Sequence, residues 1–216
     1  KRFFEFIKNE YFKEYEEYLQ MVKNPQNQMK IQYYSTNRNN GFKQLVSFKQ
    51  ALFQGLAPDH GLFMPNSIPK ISNDELKQLK NKPYKDVACF VLKKFLCPEI
   101  PESEISNITN KIYKFPVPIK KIDPKTHILE LYHGPTASFK DFGAQFMANV
   151  IAQHKTKNIA ILVATSGDTG SAVGEAFRNL EGIKVYILYP KNEVSKLQKH
   201  TLDTIGKNVQ AIEVDG

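Results

Sequence analysis

The spacing of apolar residues divides the chain into two parts, and in the second part short apolar runs alternate with stretches of helical periodicity. The runs predict strands at residues 128–132, 159–164, 185–189 and 209–214, the second of them buried. The inward positions predicted for the helices between them are Phe142, Phe146, Met147, Val150 and Ile151, then Ala172, Val173, Ala176 and Phe177, then Val194, Leu197, Leu202 and Ile205. Alternating strands and helices need crossover connections, so the pattern predicts an α/β fold with a partial doubly wound parallel sheet.

The first part shows mainly helical periodicity. Residues 47–56 predict a short helix, and residues 74–97 predict a longer helical stretch that Pro98 stops. Pro116, Pro118 and Pro124 then mark a linker. The sequence therefore predicts a mainly helical domain at 29–125 and a partial α/β domain at 126–216.

Residues 1–28 form a separate segment with the pattern of an amphipathic helix. Its apolar positions recur at three- and four-residue spacing and are Phe3, Phe4, Ile7, Tyr11, Tyr15, Tyr18, Leu19 and Val22. Two interpretations stay open: a docking helix, or the remnant of an upstream segment with Met29 as the natural start of the domain.

The charge of the chain excludes few partners but argues against nucleic acid. The 30 Lys and Arg against 22 Asp and Glu give a net charge of +8, which favours anionic partners. The lysines are scattered among acidic residues instead of clustering with aromatic residues along one stripe, so we expect no nucleic-acid binding. No apolar run approaches the roughly 18 residues of a membrane span, so we also expect no membrane partner.

The cysteines and histidines predict neither a disulfide nor a metal site. Cys89 and Cys97 lie eight positions apart in one predicted helix, which places their Cα atoms about 12 Å apart, too far for a disulfide. Two free thiols favour a reducing, cytoplasmic setting. The five histidines lack metal-ligand spacing.

A first loop with candidate chemistry is His133-Gly-Pro-Thr-Ala-Ser-Phe-Lys-Asp141, which joins a predicted strand to a helix. Lys140 falls in the first turn of that helix, where the positive end of the helix dipole disfavours an ammonium. An uncharged amine is what a Schiff base needs. Taken alone, however, the position is also that of an ordinary surface lysine.

A second loop, between the next strand and helix, has the composition of an anion site. Its residues are Thr165, Ser166, Gly167, Asp168, Thr169 and Gly170. Helix-terminal amides and hydroxyls can hold an anion, although a simple capped turn has the same composition. The pattern matches neither the P-loop nor the dinucleotide-binding fingerprint. Both loops would lie at the carboxyl ends of neighbouring strands, where α/β sheets bind ligands.

Together, four ordered blocks carry a family resemblance. HGPTASFKDFGAQFM, ATSGDTGSAV and YPKNEVSKLQKHTLDTIGKNVQAIEVDG resemble consecutive blocks of threonine synthase, a pyridoxal-phosphate enzyme of the tryptophan-synthase-β fold type, or fold type II. The fourth block is the earlier stretch that runs from YYSTNRN to VSFKQALFQGLAPDHGLFMP, and it is similar to the family's amino-terminal region. The resemblance covers residues 29–216.

The resemblance implies a cofactor, a substrate and site residues. The cofactor would be pyridoxal 5'-phosphate, joined to Lys140 as an internal aldimine, with Phe139 and Asp141 beside it. Residues Thr165 to Gly170 would receive the amino-acid carboxylate. The substrate would be O-phospho-L-homoserine, converted with water to L-threonine and phosphate, and Lys140 would also act as the general base.

One departure from the family pattern qualifies these expectations. The family's second glycine-rich loop, Ser-Gly-Asn-Phe-Gly, which holds the cofactor phosphate, does not occur in the 216 residues. We therefore expect an amino-terminal portion of a longer enzyme, without a complete active site. An inactive fragment or binding remnant, and a related lyase such as a threonine dehydratase, stay open as alternatives.

Overall fold

A computed structural model describes residues 31–37 and 42–215. The predicted helix at 1–28 lies outside the described residues. The elements of the first part are β1 (Tyr33–Ser35), α1 (Phe48–Gln54), β2 (Phe63–Pro65), α2 (Asn73–Leu79), α3 (Tyr84–Leu96) and α4 (Glu102–Ile112). Strands β1 and β2 pair antiparallel.

The helical stretch predicted at residues 74–97 is broken into α2 and α3. The break runs from Lys80 to Pro83, and Asn81 has a positive φ of 63° within it. Pro83 has no amide proton for a helical hydrogen bond and its ring disfavours helical geometry at Lys82, so one helix cannot continue through it. Pro83 is instead the N-cap residue of α3, which begins at Tyr84 and ends at Leu96.

The predicted strand at 128–132 exists only in part and does not join the parallel sheet. Strand β4 (His127–Leu129) pairs antiparallel with β3 (Ile119–Lys121) in a separate exposed hairpin, whose strands lie on either side of residue 125. Asp123 Oδ1 accepts the amides of Lys125 at 2.8 Å and Thr126 at 2.9 Å, which closes the turn. Because this turn brings β3 next to residues 127–129, these residues pair with β3 and not with the parallel sheet.

The remaining elements form the predicted α/β unit. They are α5 (Lys140–His154), β5 (Ile159–Ala164), α6 (Asp168–Phe177), β6 (Ile183–Pro190), α7 (Lys196–Thr204) and β7 (Val209–Val214). The strands are parallel in the order β5-β6-β7, with Ile161 opposite Val185 and Val185 opposite Val209. The α/β fold class and the parallel sheet are thereby confirmed.

The described helices cover one face of this sheet. Ile183, Val185 and Ile187 are buried on that face under α6 and α7. On the other face Leu162 is 69% exposed, so the prediction that β5 is fully buried is wrong. The predicted inward position of Leu197 is also wrong, because this side chain in the first turn of α7 is 75% exposed.

Helix α5 lies between two apolar cores, and this fixes its first residue, Lys140. On one side Ala144, Ala148 and Ile151 pack with α6 and the sheet. On another side Val150, which is 0% exposed, packs with α3 and α4. A helix buried against two layers has little freedom to shift, so its amino-terminal end is a rigid platform.

Within the described part of the chain, no helix combines the length and apolar character needed to cross a membrane.

Candidate active site

The loop before α5 is held by a buried carboxylate. Asp141 is 0% exposed, and its two oxygens accept hydrogen bonds from the Thr136 amide at 2.9 Å and the Thr136 hydroxyl at 2.7 Å. A Cβ on Gly134 would lie 2.5 Å from Asp141 Oδ2, so only glycine lets the loop pass this close. The structure therefore places Asp141 under the loop as the residue that fixes its shape.

This arrangement predicts a large effect on stability from Asp141→Ala. Removing the carboxylate leaves the Thr136 amide and hydroxyl without their acceptor, and we expect a loss of about 2–3 kcal/mol in the free energy of unfolding. Urea denaturation of the whole protein measures this. Asp86→Ala, in the first turn of α3, is the control and should cost less than about 1 kcal/mol. Equal effects of the two substitutions would contradict the anchoring role of Asp141.

Lys140 is the first residue of α5, and its amine forms no ion pair with any described carboxylate. Its amide hydrogen-bonds Ser138 Oγ at 3.3 Å, and its Nζ lies 4.3 Å from the centroid of the Phe139 ring. None of the described carboxylates forms an ion pair with it, since Asp141 points inward to Thr136. Phe139 is 61% exposed. The chain thus presents a primary amine against an exposed aromatic ring.

A histidine at the start of the same loop is also fixed by a carboxylate. His133 Nε2 lies 2.8 Å from Glu130 Oε2, and the His133 and Tyr132 rings lie 4.6 Å apart. Hydrogen bonds from His133 and then Tyr132 lower the pKa of Glu130. These contacts give His133 a role in stabilising the turn.

The second loop is folded around the Thr165 hydroxyl. Thr165 Oγ1 accepts the amides of Gly167 and Gly170, both at 3.0 Å. The hydroxyl therefore shapes the loop, where the sequence suggested that it faces a ligand. The amides of Ser166, Asp168 and Thr169 donate no hydrogen bond to any residue in the described ranges.

These three amides lie at the amino-terminal end of α6, where the helix dipole is positive. Ser166 and Asp168 are exposed, while Gly167 and Gly170 are buried. We call the amides of Ser166, Asp168 and Thr169 the cradle. Their donors and their position suit a carboxylate-sized anion.

Glycine is required at two positions under the cradle. Gly167 has a φ of +141°, and a Cβ on Gly170 would lie 2.4 Å from Thr165 Cγ2 and 2.8 Å from Ile187 Cγ2. The second contact shows that α6 lies directly on β6. The glycine spacing noted in the sequence thus serves backbone shape and helix packing.

The two loops follow different kinds of strand from those that the sequence predicted. The cradle follows β5 of the parallel sheet, whereas the Lys140 loop follows the exposed hairpin. The prediction that both loops follow strands of one sheet is therefore wrong. They instead precede two helices, α5 and α6, that pack against each other.

Sequence reasoning missed one residue at the cradle, Gln198 on α7, whose Nε2 donates to Asp168 Oδ1 at 3.1 Å. The spacing Ser195-x-x-Gln198 is a recognisable capping box, but no local pattern predicts a contact across 30 positions. Among the described residues, no group of three His, Cys, Asp or Glu side chains has metal-binding geometry.

Two family models match the chain one after the other. The model described as threonine synthase N terminus matches residues 32–113. The model described as pyridoxal-phosphate dependent enzyme matches residues 117–215, which include both loops of the site.

Individual proteins and structures agree with these matches. Threonine synthase of Serratia marcescens is 39% identical over 172 residues, which are 79% of this chain and 40% of that protein. The crystal structure of threonine synthase from Escherichia coli matches with a TM-score of 0.78 and 36% identity over 86% of this chain and 43% of that one. The structure of pyridoxal-phosphate-bound threonine synthase from Brucella melitensis matches with a TM-score of 0.76 and 34% identity over 86% and 41%. The chain thus spans about two fifths of the length of the relatives it matches.

Proposed function

Because the chain belongs to the threonine synthase family and corresponds to its amino-terminal portion, we propose that the whole protein converts O-phospho-L-homoserine and water to L-threonine and phosphate. This would be the last step of threonine biosynthesis. The cofactor is pyridoxal 5'-phosphate, in keeping with the family model that matches residues 117–215. The observation that carries the proposal is the pair of loops: a lysine amine that no described carboxylate pairs with, and, on the adjacent helix, a cradle of three amides that have no acceptor in the described ranges.

The residues present fit such a cofactor. Its aldehyde needs a primary amine, and Lys140 is a partly exposed residue at a rigid helix end, with no described carboxylate paired to its Nζ. The exposed Phe139 ring supplies apolar surface next to that amine. Asp141 contributes indirectly, because it fixes the loop that carries both residues. Pyridoxal phosphate, when bound, supplies an electron sink for the carbanion next to the substrate nitrogen.

The chain's own groups supply binding and proton transfer. The cradle amides bind the substrate carboxylate, which fixes the amino acid at the end of α6. Lys140 Nζ would hold the cofactor and, when released from it, would act as the base: it would accept the proton from Cα, give that proton up, and then accept a proton from Cβ. A positioned base of this kind contributes about 10²–10⁴-fold to the rate. Phosphate leaves from Cγ and takes up one proton, Cγ and Cα each regain one, and water adds its hydroxyl at Cβ. The protons from Cα, Cβ and water are thereby all accounted for.

Charge and thiol chemistry support two further parts of the proposal. The net charge of +8 suits an anionic small-molecule substrate and cofactor. Cys89 and Cys97 are both free thiols, which supports a cytoplasmic location.

Product analysis of the whole protein tests this function. With pyridoxal phosphate and O-phospho-L-homoserine, we expect inorganic phosphate and L-threonine in equal amounts. A 2-keto acid in place of threonine would instead identify a dehydratase-like lyase. Absence of phosphate release would support a binding remnant and overturn the proposal.

A further inference from the structure

Gln198 connects α7 to the cradle through both ends of its carboxamide. Its Oε1 accepts the Ser195 amide at 3.1 Å, which completes the capping box of α7. Its Nε2 donates to Asp168 Oδ1 at 3.1 Å. Because the Ser195 amide can bond only to the oxygen end, the nitrogen end must face Asp168.

The backbone under the cradle is shaped to admit this side chain. A Cβ on Gly167 would lie 2.5 Å from Gln198 Nε2 and 2.6 Å from its Cδ. The carboxamide therefore occupies the space that a side chain at position 167 would fill. It packs directly on the backbone between the cradle amides.

Asp168 is an unusual residue to find at an anion site. It is the first residue of α6, so an acidic side chain lies next in the chain to Thr169 and two positions after Ser166, whose amides have no acceptor among the described residues. The positive end of a helix attracts a nearby carboxylate. The Asp168 carboxylate can therefore compete with the substrate carboxylate for the cradle amides. The hydrogen bond from Gln198 holds one of its oxygens on the α7 side.

We infer that Gln198 is a positioning residue that keeps the Asp168 carboxylate off the cradle amides and so leaves them open for the substrate. The inference rests on the proposed function, in which those amides bind the substrate carboxylate. It assigns Gln198 a role in substrate affinity and none in proton transfer. Its effect should therefore appear in KM and not in kcat.

The variant that isolates this contact is Gln198→Glu in the whole protein. Glutamate keeps an oxygen acceptor for the Ser195 amide, so the capping box is retained, but it turns a carboxylate towards Asp168. Repulsion should release Asp168 onto the cradle. We expect the KM for O-phospho-L-homoserine to rise roughly tenfold, with kcat changed less than about twofold.

Two companion variants separate positioning from simple damage to α7. Ser195→Ala removes the hydroxyl that caps α7 but leaves Gln198 bound to Asp168, so its KM should match the parent. Asp168→Asn added to Gln198→Glu restores a donor–acceptor pair with reversed polarity and should bring the KM back towards the parent value. An unchanged KM in Gln198→Glu, or a double variant no better than the single one, would overturn the inference.

A crystal structure of the Gln198→Glu protein gives a readout that does not depend on turnover. The Asp168 carboxylate should hydrogen-bond to the Thr169 or Ser166 amide, and a carboxylate that stays in place would also overturn the inference. The activity of the parent protein distinguishes a failure of the proposed function from a failure of the role assigned to Gln198. A parent protein without turnover overturns the proposed function together with this inference, whereas parent turnover with an unaffected variant overturns the inference alone.

Discussion

Replacing Lys140 by alanine should lower kcat/KM of the whole protein for O-phospho-L-homoserine by about 10³-fold or more. The substitution removes both the amine that holds the cofactor and the base that accepts the substrate protons, and loss of a positioned base alone costs about 10²–10⁴-fold. Steady-state phosphate release measures the effect. The visible absorbance of the lysine-bound cofactor should be lost as well.

Lys157→Ala is the matched control for this prediction. Lys157 is an exposed lysine just after α5, outside both loops of the site. It should leave kcat/KM within about twofold of the parent. Near-parental turnover by Lys140→Ala would show that Lys140 is not the reactive amine.

Replacing Thr165 by valine should distort the loop that carries the three cradle amides, although the side-chain volume is nearly unchanged. The amides of Gly167 and Gly170 lose their shared acceptor, and each unsatisfied buried amide costs about 1–3 kcal/mol. The loop can recover these bonds only by changing shape. We expect the KM to rise roughly tenfold or more, because each 1.4 kcal/mol of lost binding energy corresponds to a factor of ten.

The variant Thr165→Ser distinguishes the effect of losing the hydroxyl from the effect of losing the methyl group. Serine keeps the oxygen that binds the two amides and loses only Cγ2, which lies near Gly170. Its KM should therefore stay much closer to the parent value than that of the valine variant. If valine and serine raise the KM equally, the hydroxyl does not organise the cradle.

The sequence predicted the parallel unit well because its elements bury one continuous face. The predicted strand bounds at 159–164 and 209–214 match β5 and β7, and Ala172, Val173, Ala176 and Phe177 are buried on α6 as predicted. Here the local apolar pattern and the tertiary packing coincide. Periodicity alone could therefore identify these elements.

The predicted strand at 128–132 shows where the local apolar pattern fails, because the pairing of a strand depends on contacts outside that pattern. A strand at 128–132 was predicted from its apolar residues, but the Asp123 turn pairs the shorter β4 with β3. Helix α4 was missed although its pattern is local: Ile105, Ile108 and Ile112 recur at three- and four-residue spacing after Pro101, which is typical of an amphipathic helix. Its apolar face packs on α3 and α5.

At the candidate site, local motifs could likewise be read from the sequence, whereas side-chain directions and long-range contacts could not. The motifs single out Lys140 and the Thr165–Gly170 loop as candidates, because their residue types and spacing are local. The direction of each side chain was not predictable, since Asp141 turns inward to Thr136 and Thr165 binds its own loop. Gln198 reaches Asp168 from a helix 30 positions away, so only the folded structure shows it.

Chemical trapping of the cofactor tests the central claim most directly. The whole protein, loaded with pyridoxal phosphate and reduced with borohydride, would be digested and the modified lysine located by mass spectrometry. Reduction makes the lysine–cofactor bond permanent, so the mark identifies the reactive amine. The account predicts a single phosphopyridoxyl group on Lys140. A mark on another lysine, or an unmodified Lys140 in cofactor-loaded protein, would contradict it.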